Sequence, residues 1–112
     1  MTRIYYNIDQ LYLHCSGHAG GGTEGNDIIC AEISTLDMAL LNMLNEEQEQ
    51  GHMDVFWSLK QGELVIKAMP KTQHYRRVAK DYFRVIIMGL RAMEQTYPKN
   101  IIMEEVRNSG SY

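Results

Sequence analysis

Residues 13–36 read LHCSGHAGGGTEGNDIICAEISTL, and the hydrophobic period changes within them. Up to Ser16, Leu11, Leu13 and Cys15 alternate with Tyr12, His14 and Ser16, the two-residue period of a strand with one face on a core. From Ile29 apolar residues recur at helical spacing, at Ile33, Leu36, Leu40 and Leu44. Between the two lies Ala19–Asn26, with glycines at positions 20, 21, 22 and 25 and no large apolar side chain, which reads as a loop. Asp27 is expected to cap the helix, placing Ile28 first and Cys30 in the opening turn, and Gly51 to end it.

Working outward, Ile4–Tyr6 is β-branched and aromatic, and Asn7–Asp9 supplies turn chemistry, so the first two strands form a hairpin. Met53, Val55, Trp57 and Leu59 alternate with His52, Asp54, Phe56 and Ser58. A Gln61-Gly62 turn follows, and Leu64, Ile66 and Ala68 alternate in their turn. From Gln73 the period returns to helical, with Tyr75, Val78, Tyr82, Ile86, Gly89, Met93 and Tyr97 on one stripe. Thr72 is placed to cap this helix and Pro98 to stop it, and Ile101–Val106 reads as a last strand. The expected order is β-β-α-β-β-α-β, an α+β fold in which a five-stranded sheet packs with two long amphipathic helices. No repeat or linker divides the chain, so residues 1–112 are expected to form a single domain.

Composition narrows the function classes. The chain is 45% hydrophobic and 22% charged with a net charge of −3, which argues against general nucleic-acid or anionic-membrane binding. Its longest uninterrupted apolar run, Val85–Leu90, is too short to span a bilayer, and MTRIYYNIDQ lacks the features of a signal peptide. Two cysteines are too few for a disulfide framework, so a reducing, cytoplasmic setting is expected.

Two groups around the loop carry chemistry. A thiol acts as nucleophile through its thiolate, which helix-end N–H groups and a nearby imidazolium both favour. Cys30 has the first by its expected position, and His18 could supply the second across a loop that can close. Orphan N–H groups there could also hold an oxyanion. Equally, Cys30 lies beside Ile29, Ala31 and Ile33, and free cysteine is commonly core filling. The residues by themselves leave both readings open. A metal site from His14, Cys15, His18 and Cys30 is disfavoured, because strand neighbours His14 and Cys15 point to opposite faces and no zinc spacing is present. Phosphate binding is disfavoured too: neither glycine-rich phosphate motif is present, and no lysine lies between Ala19 and His52. No metal or cofactor is expected.

At these same residues the sequence resembles the bacterial ribosomal-processing cysteine protease (Prp, YsxB-like) family. The likeness rests on Gly17-His18-Ala19, the glycine-containing loop, Gly25-Asn26-Asp27-Ile28-Ile29-Cys30-Ala31 and Ser34. The resemblance implies a Cys/His endopeptidase that removes a short N-terminal extension from a large-subunit ribosomal protein and so supports ribosome assembly. Cys30 would be nucleophile and His18 general base and acid. Gly17, Asp27 and Ser34 would support the site or bind substrate. Ala19, Gly20, Gly21, Gly22, Thr23, Glu24, Gly25 and Asn26 would form a mobile loop that orders on substrate. A homodimer is also implied. The other class to weigh is a non-catalytic relative that binds a ribosomal or other protein partner through the same fold. The chain departs from the family's pattern in the run of glycines and in Glu32, where small apolar residues are usual.

Charge is uneven. Glu24, Asp27, Glu32, Asp37, Glu46, Glu47, Glu49 and Asp54 span a stretch with no Lys or Arg, while the second helix carries Arg76, Arg77, Lys80, Arg84 and Arg91. Both are expected to be solvated helix faces. Acidic steering of a basic ribosomal protein is the alternative.

Overall fold

The computed structural model describes residues 1–17 and 24–107, with the backbone alone for 24–27. It contains β1 (Thr2–Asn7), β2 (Tyr12–Ser16), α1 (Glu24–Glu49), β3 (Met53–Lys60), β4 (Glu63–Pro70), α2 (Gln73–Thr96) and β5 (Ile101–Glu105). The order is the expected β-β-α-β-β-α-β. The five strands form one sheet, arranged β3-β4-β2-β1-β5. β1 pairs antiparallel with β2 and parallel with β5, and β4 lies antiparallel between β2 and β3.

Local chemistry sets the turns. The backbone N–H of Gln10 donates to Asn7 Oδ1 at 2.9 Å, closing the first hairpin with an Asx turn. Gln61 and Gly62 both have positive φ, 49° and 81°, as a two-residue hairpin loop of matching twist requires. Thr72 Oγ1 accepts from the Tyr75 N–H and caps α2, and Gly51, at φ 80°, ends α1.

Register decides which residues meet. Ile4 lies opposite Cys15, Cys15 opposite Leu64, and Leu64 opposite Leu59, so one row of side chains crosses four strands on the same face. That face joins Ile29, Ile33, Leu40 and Leu44 of α1 and Ala79, Phe83, Ile86 and Leu90 of α2 in a single core. The helices touch where α2 carries Gly89. A Cβ there would sit 3.3 Å from the Leu36 side chain, so the missing methyl allows close approach. By length and composition Ile28–Glu49 would suffice to cross a membrane. Here its apolar stripe is used against the sheet, with Ile33, Leu40 and Leu44 at 0% exposure.

The start of α1 differs from expectation. The helix begins at Glu24, so Asp27 lies within it as the fourth residue and is not its cap. Glu24, Gly25 and Asn26 belong to the helix, leaving only part of the expected loop outside it. The reason is that a first helical turn needs no apolar residue, and acidic residues such as Glu24 and Asp27 suit the positive end of the helix dipole. Hydrophobic period therefore marks where a helix touches the core, which is later than where it starts.

Candidate active site

Cys30 is the seventh residue of α1 and half-buried. Its own N–H belongs to the helical ladder and is not one of the four orphan groups of the first turn, as the sequence had suggested. Since the helix-end charge falls off within that turn, the helix end by itself gives a thiolate at Cys30 less support than a first-turn position would. Ser34, one turn on and also half-buried, shares Cys30's side of the helix, flanked by the buried Ile29 and Ile33.

The other half of the expected pair follows β2. Ser16 ends the strand, and Gly17 turns the chain out of it at φ 84°, a left-handed conformation. A Cβ on Gly17 would lie 2.7 Å from the Met1 carbonyl oxygen, so both backbone angle and space demand glycine. This is a structural role for the first residue of Gly17-His18-Ala19. His18, Ala19, Gly20, Gly21, Gly22 and Thr23 lie outside the described residues, as do the side chains of Glu24, Asn26 and Asp27.

What ties the two halves is a contact in the core that the sequence did not reveal. Asp37 of α1 is 1% exposed and lies against Cys15 of β2, at 0%. β2 ends at Ser16, one residue after Cys15. Cys30 precedes Asp37 by two helical turns, a rise of about 10 Å. The end of β2 and the helix that carries Cys30 are thereby held to one anchor point. Burial pushes the Asp37 carboxyl up to about 6, with the Cys15 thiol drawing it down, and burial likewise pushes the Cys15 thiol well above its ordinary range. Cys15 is core filling, as its alternation predicts, and it faces away from His14, which pairs with Tyr5 and Val65 on the outer face.

Asp37 also divides the acidic run. Glu32, Glu46, Glu49 and Asp54 are exposed, but Asp37 is in the core, and Glu47 accepts from Tyr82 Oη at 2.6 Å and meets His52 Nδ1 at 2.7 Å. The run is therefore not a single solvated face. A second feature missed from the sequence is a groove of about 480 Å³ on the helix-free face, lined by Tyr5, His14, Ser16, Glu63, Glu104 and Arg107 among others. It gathers residues from four strands, so no local pattern signals it. Among the described residues no group of three His, Cys, Asp or Glu side chains is placed to hold a metal ion.

Residues 1–102 match the family model described as cysteine protease Prp. The chain belongs to the cysteine protease Prp family. No curated protein matches it by sequence. Among solved structures, it is similar to the essential ribosomal processing protease Prp of S. aureus in complex with a substrate peptide. That likeness has a TM-score of 0.70 at 18% identity, over 94% of this chain and 97% of that one. The same S. aureus protease with a covalently linked product peptide gives a TM-score of 0.68 at 20% identity, over 94% and 97% of the two chains. SMU.848 from Streptococcus mutans gives 0.67 at 21% identity, over 94% and 91%. Membership of the Prp family makes the chain a cysteine protease, and its α+β fold is that of the Prp structures.

Proposed function

We propose that this Prp-family protease removes the N-terminal extension of a large-subunit ribosomal protein, with Cys30 as nucleophile and His18 as general base and acid. The family match carries the reading, because it spans the Gly17-His18-Ala19 and Asp27–Ser34 segments together. Support comes from the half-buried position of Cys30 on a helix anchored through Asp37 to β2. Further support comes from the S. aureus relative, which is described as a ribosomal processing protease bound to a substrate peptide.

His18 takes the Cys30 proton, and the thiolate attacks the scissile carbonyl carbon. As the C–N bond breaks, the imidazolium returns its proton to the leaving amine. Water, deprotonated by the same imidazole, then attacks the thioester and frees the acid. Ser34 lies one turn beyond the nucleophile, where its hydroxyl can help shape the site. The enzyme works in the reducing cytoplasm, where the Cys30 thiol persists.

The test is incubation with the extended ribosomal protein and mass analysis of its new N-terminus. Cys30→Ala and His18→Ala are each expected to abolish cleavage while the far-UV spectrum is unchanged. Normal cleavage by Cys30→Ala would overturn the assignment. Tight binding without cleavage by the wild type would favour the non-catalytic role.

A further inference from the structure

The outer face of α2 carries a row of side chains that the peptidase does not use. Arg77, Arg84 and Arg91 recur every seven residues, so they lie on one stripe, spaced about 10.5 Å apart along the helix axis. All three are exposed. Beside them stand Val85 and Met88, at 68% and 67% exposure. α2 already buries Ala79, Phe83, Ile86, Ile87 and Leu90 on its inner side, so these two apolar residues are not needed by the core. Arg77 and Arg84 make no ion pair among the described residues. Arg91 is tied down: it donates to Tyr6 Oη, lies over the Tyr6 ring and stands 3.9 Å from Glu94 Oε1. A basic helix face is ordinarily just solvated. What sets this one apart is the apolar pair within it and the hollow beside it.

The hollow, of about 150 Å³, lies between α2 and the end of β1. Tyr6, Ile8, Ile87 and Met88 wall it, and Arg84 and Arg91 border it. That is room for one leucine-sized side chain with a cation on either hand, the anchor-in-pocket arrangement of a binding hot spot. Glu105 also borders it and makes no ion pair with either arginine. Spacing and charge together select the occupant. Another helix repeats on the same period, so acids seven residues apart face Arg84 and Arg91 while an apolar residue between them reaches the hollow. A phosphate backbone fits less well, since Asp81 interrupts the row and Val85 and Met88 give a polyanion nothing to pair with. A second copy of this helix fits less well too. Set antiparallel with Val85 on Met88, it brings Arg84 of each copy within one helical turn of Arg91 of the other, like charge beside like charge.

We propose that the outer face of α2 docks an acidic amphipathic helix of another protein, with a leucine-like side chain in the hollow beside Met88 and carboxylates on Arg84 and Arg91. Each guanidinium donates to its carboxylate, and Arg84, which has no ion pair to give up, contributes the larger share. The docking is independent of the peptidase assignment, since none of these residues belongs to the proposed site.

Fluorescence anisotropy on the full chain tests it. The probe is a labelled synthetic helix of about three heptads, with one Glu in each heptad and a Leu four residues after it. A Kd of about 50 μM is expected. Arg84→Glu, or Ala for Leu in the probe, should weaken it roughly tenfold or more. A probe with Lys for every Glu should bind the double variant Arg84→Glu, Arg91→Glu and leave the wild type alone. Both positions are exposed, so folding is preserved. Absence of saturation at about 1 mM probe would overturn the proposal, as would equal binding of the Glu and Lys probes or indifference to Arg84→Glu. A short uridine oligonucleotide that binds the wild type in place of the Glu probe, and is lost with Arg84→Glu, would assign the face to a polyanion and overturn it. So would sedimentation showing that Val85→Ser with Met88→Ser separates two copies of the chain.

Discussion

The Asp37 carboxyl and the Cys15 thiol face each other in the core, where α1 lies across β2, and neither carboxylate oxygen makes a hydrogen bond of ordinary geometry. For a buried carboxyl with so little polar company, desolvation disfavours the charged form and raises its pKa.

The consequence for stability has a definite sign. Folding raises the Asp37 pKa from 3.8 to about 6, so the folded state binds the extra proton. The carboxyl costs nothing below 3.8, an increasing amount as pH rises to 6, and a constant amount above, at most about 3 kcal/mol. Asp37→Asn should therefore be more stable than wild type at pH 7.5 and lose that advantage near pH 4. Urea unfolding of both proteins across this range is the measurement, and a difference independent of pH would contradict it.

The two thiols should react very differently. Cys15 is 0% exposed with its pKa pushed up by burial, whereas Cys30 is half-buried. Iodoacetamide at neutral pH should modify Cys30 first, by roughly a hundredfold or more, with Cys15 labelled only once the chain unfolds. Peptide mass mapping distinguishes them, and His18→Ala should slow labelling of Cys30 alone. Equal labelling of both cysteines would remove the case for an activated Cys30.

Gly17→Ala should destabilise the fold by about 1–3 kcal/mol, because the added methyl meets the Met1 carbonyl and the residue must keep a positive φ. As His18 follows directly, cleavage should fall further than the loss of folded protein explains. Active-site titration beside thermal unfolding separates the two effects. Cleavage reduced only in step with folded fraction would make Gly17 purely structural.

Glu47 works in the opposite sense to Asp37. Hydrogen bonds from Tyr82 and then His52 hold its carboxyl below 4.5, while that same contact pushes the Tyr82 hydroxyl up to about 12. Its stabilisation is present above 4.5 and is lost as pH falls through the lower folded value. Glu47→Gln should cost about 1–2 kcal/mol at pH 7 and little near pH 3. Thermal melts at the two values decide it, and an equal loss at both would mean packing, not charge, is responsible.

Much of the fold was legible locally. The Gln61-Gly62 turn, the Thr72 cap and the Gly51 stop rest on side chains acting on neighbouring backbone, so a few adjacent residues suffice. The same holds for the alternation that put Cys15 in the core and His14 on the other face. The start of α1 was misplaced because Glu24–Asp27 include no apolar side chain and so carry no hydrophobic period. Asp37 looked like one more surface acid, since nothing in its neighbours along the chain records what lies across from it.

The sequence by itself determined the order of elements, the single layer of core residues and the motif that places the chain in the Prp family. These follow from periodicity, turn chemistry and residue spacing, all of them short-range. Tertiary structure alone decided that Cys30 sits beyond the first helical turn, that Asp37 meets Cys15, and that Arg84 and Arg91 border a hollow walled in part by Tyr6 of β1. Those facts depend on strand order and on where a helix crosses a sheet. Many side chains far apart in sequence set them together when they exclude water from one core.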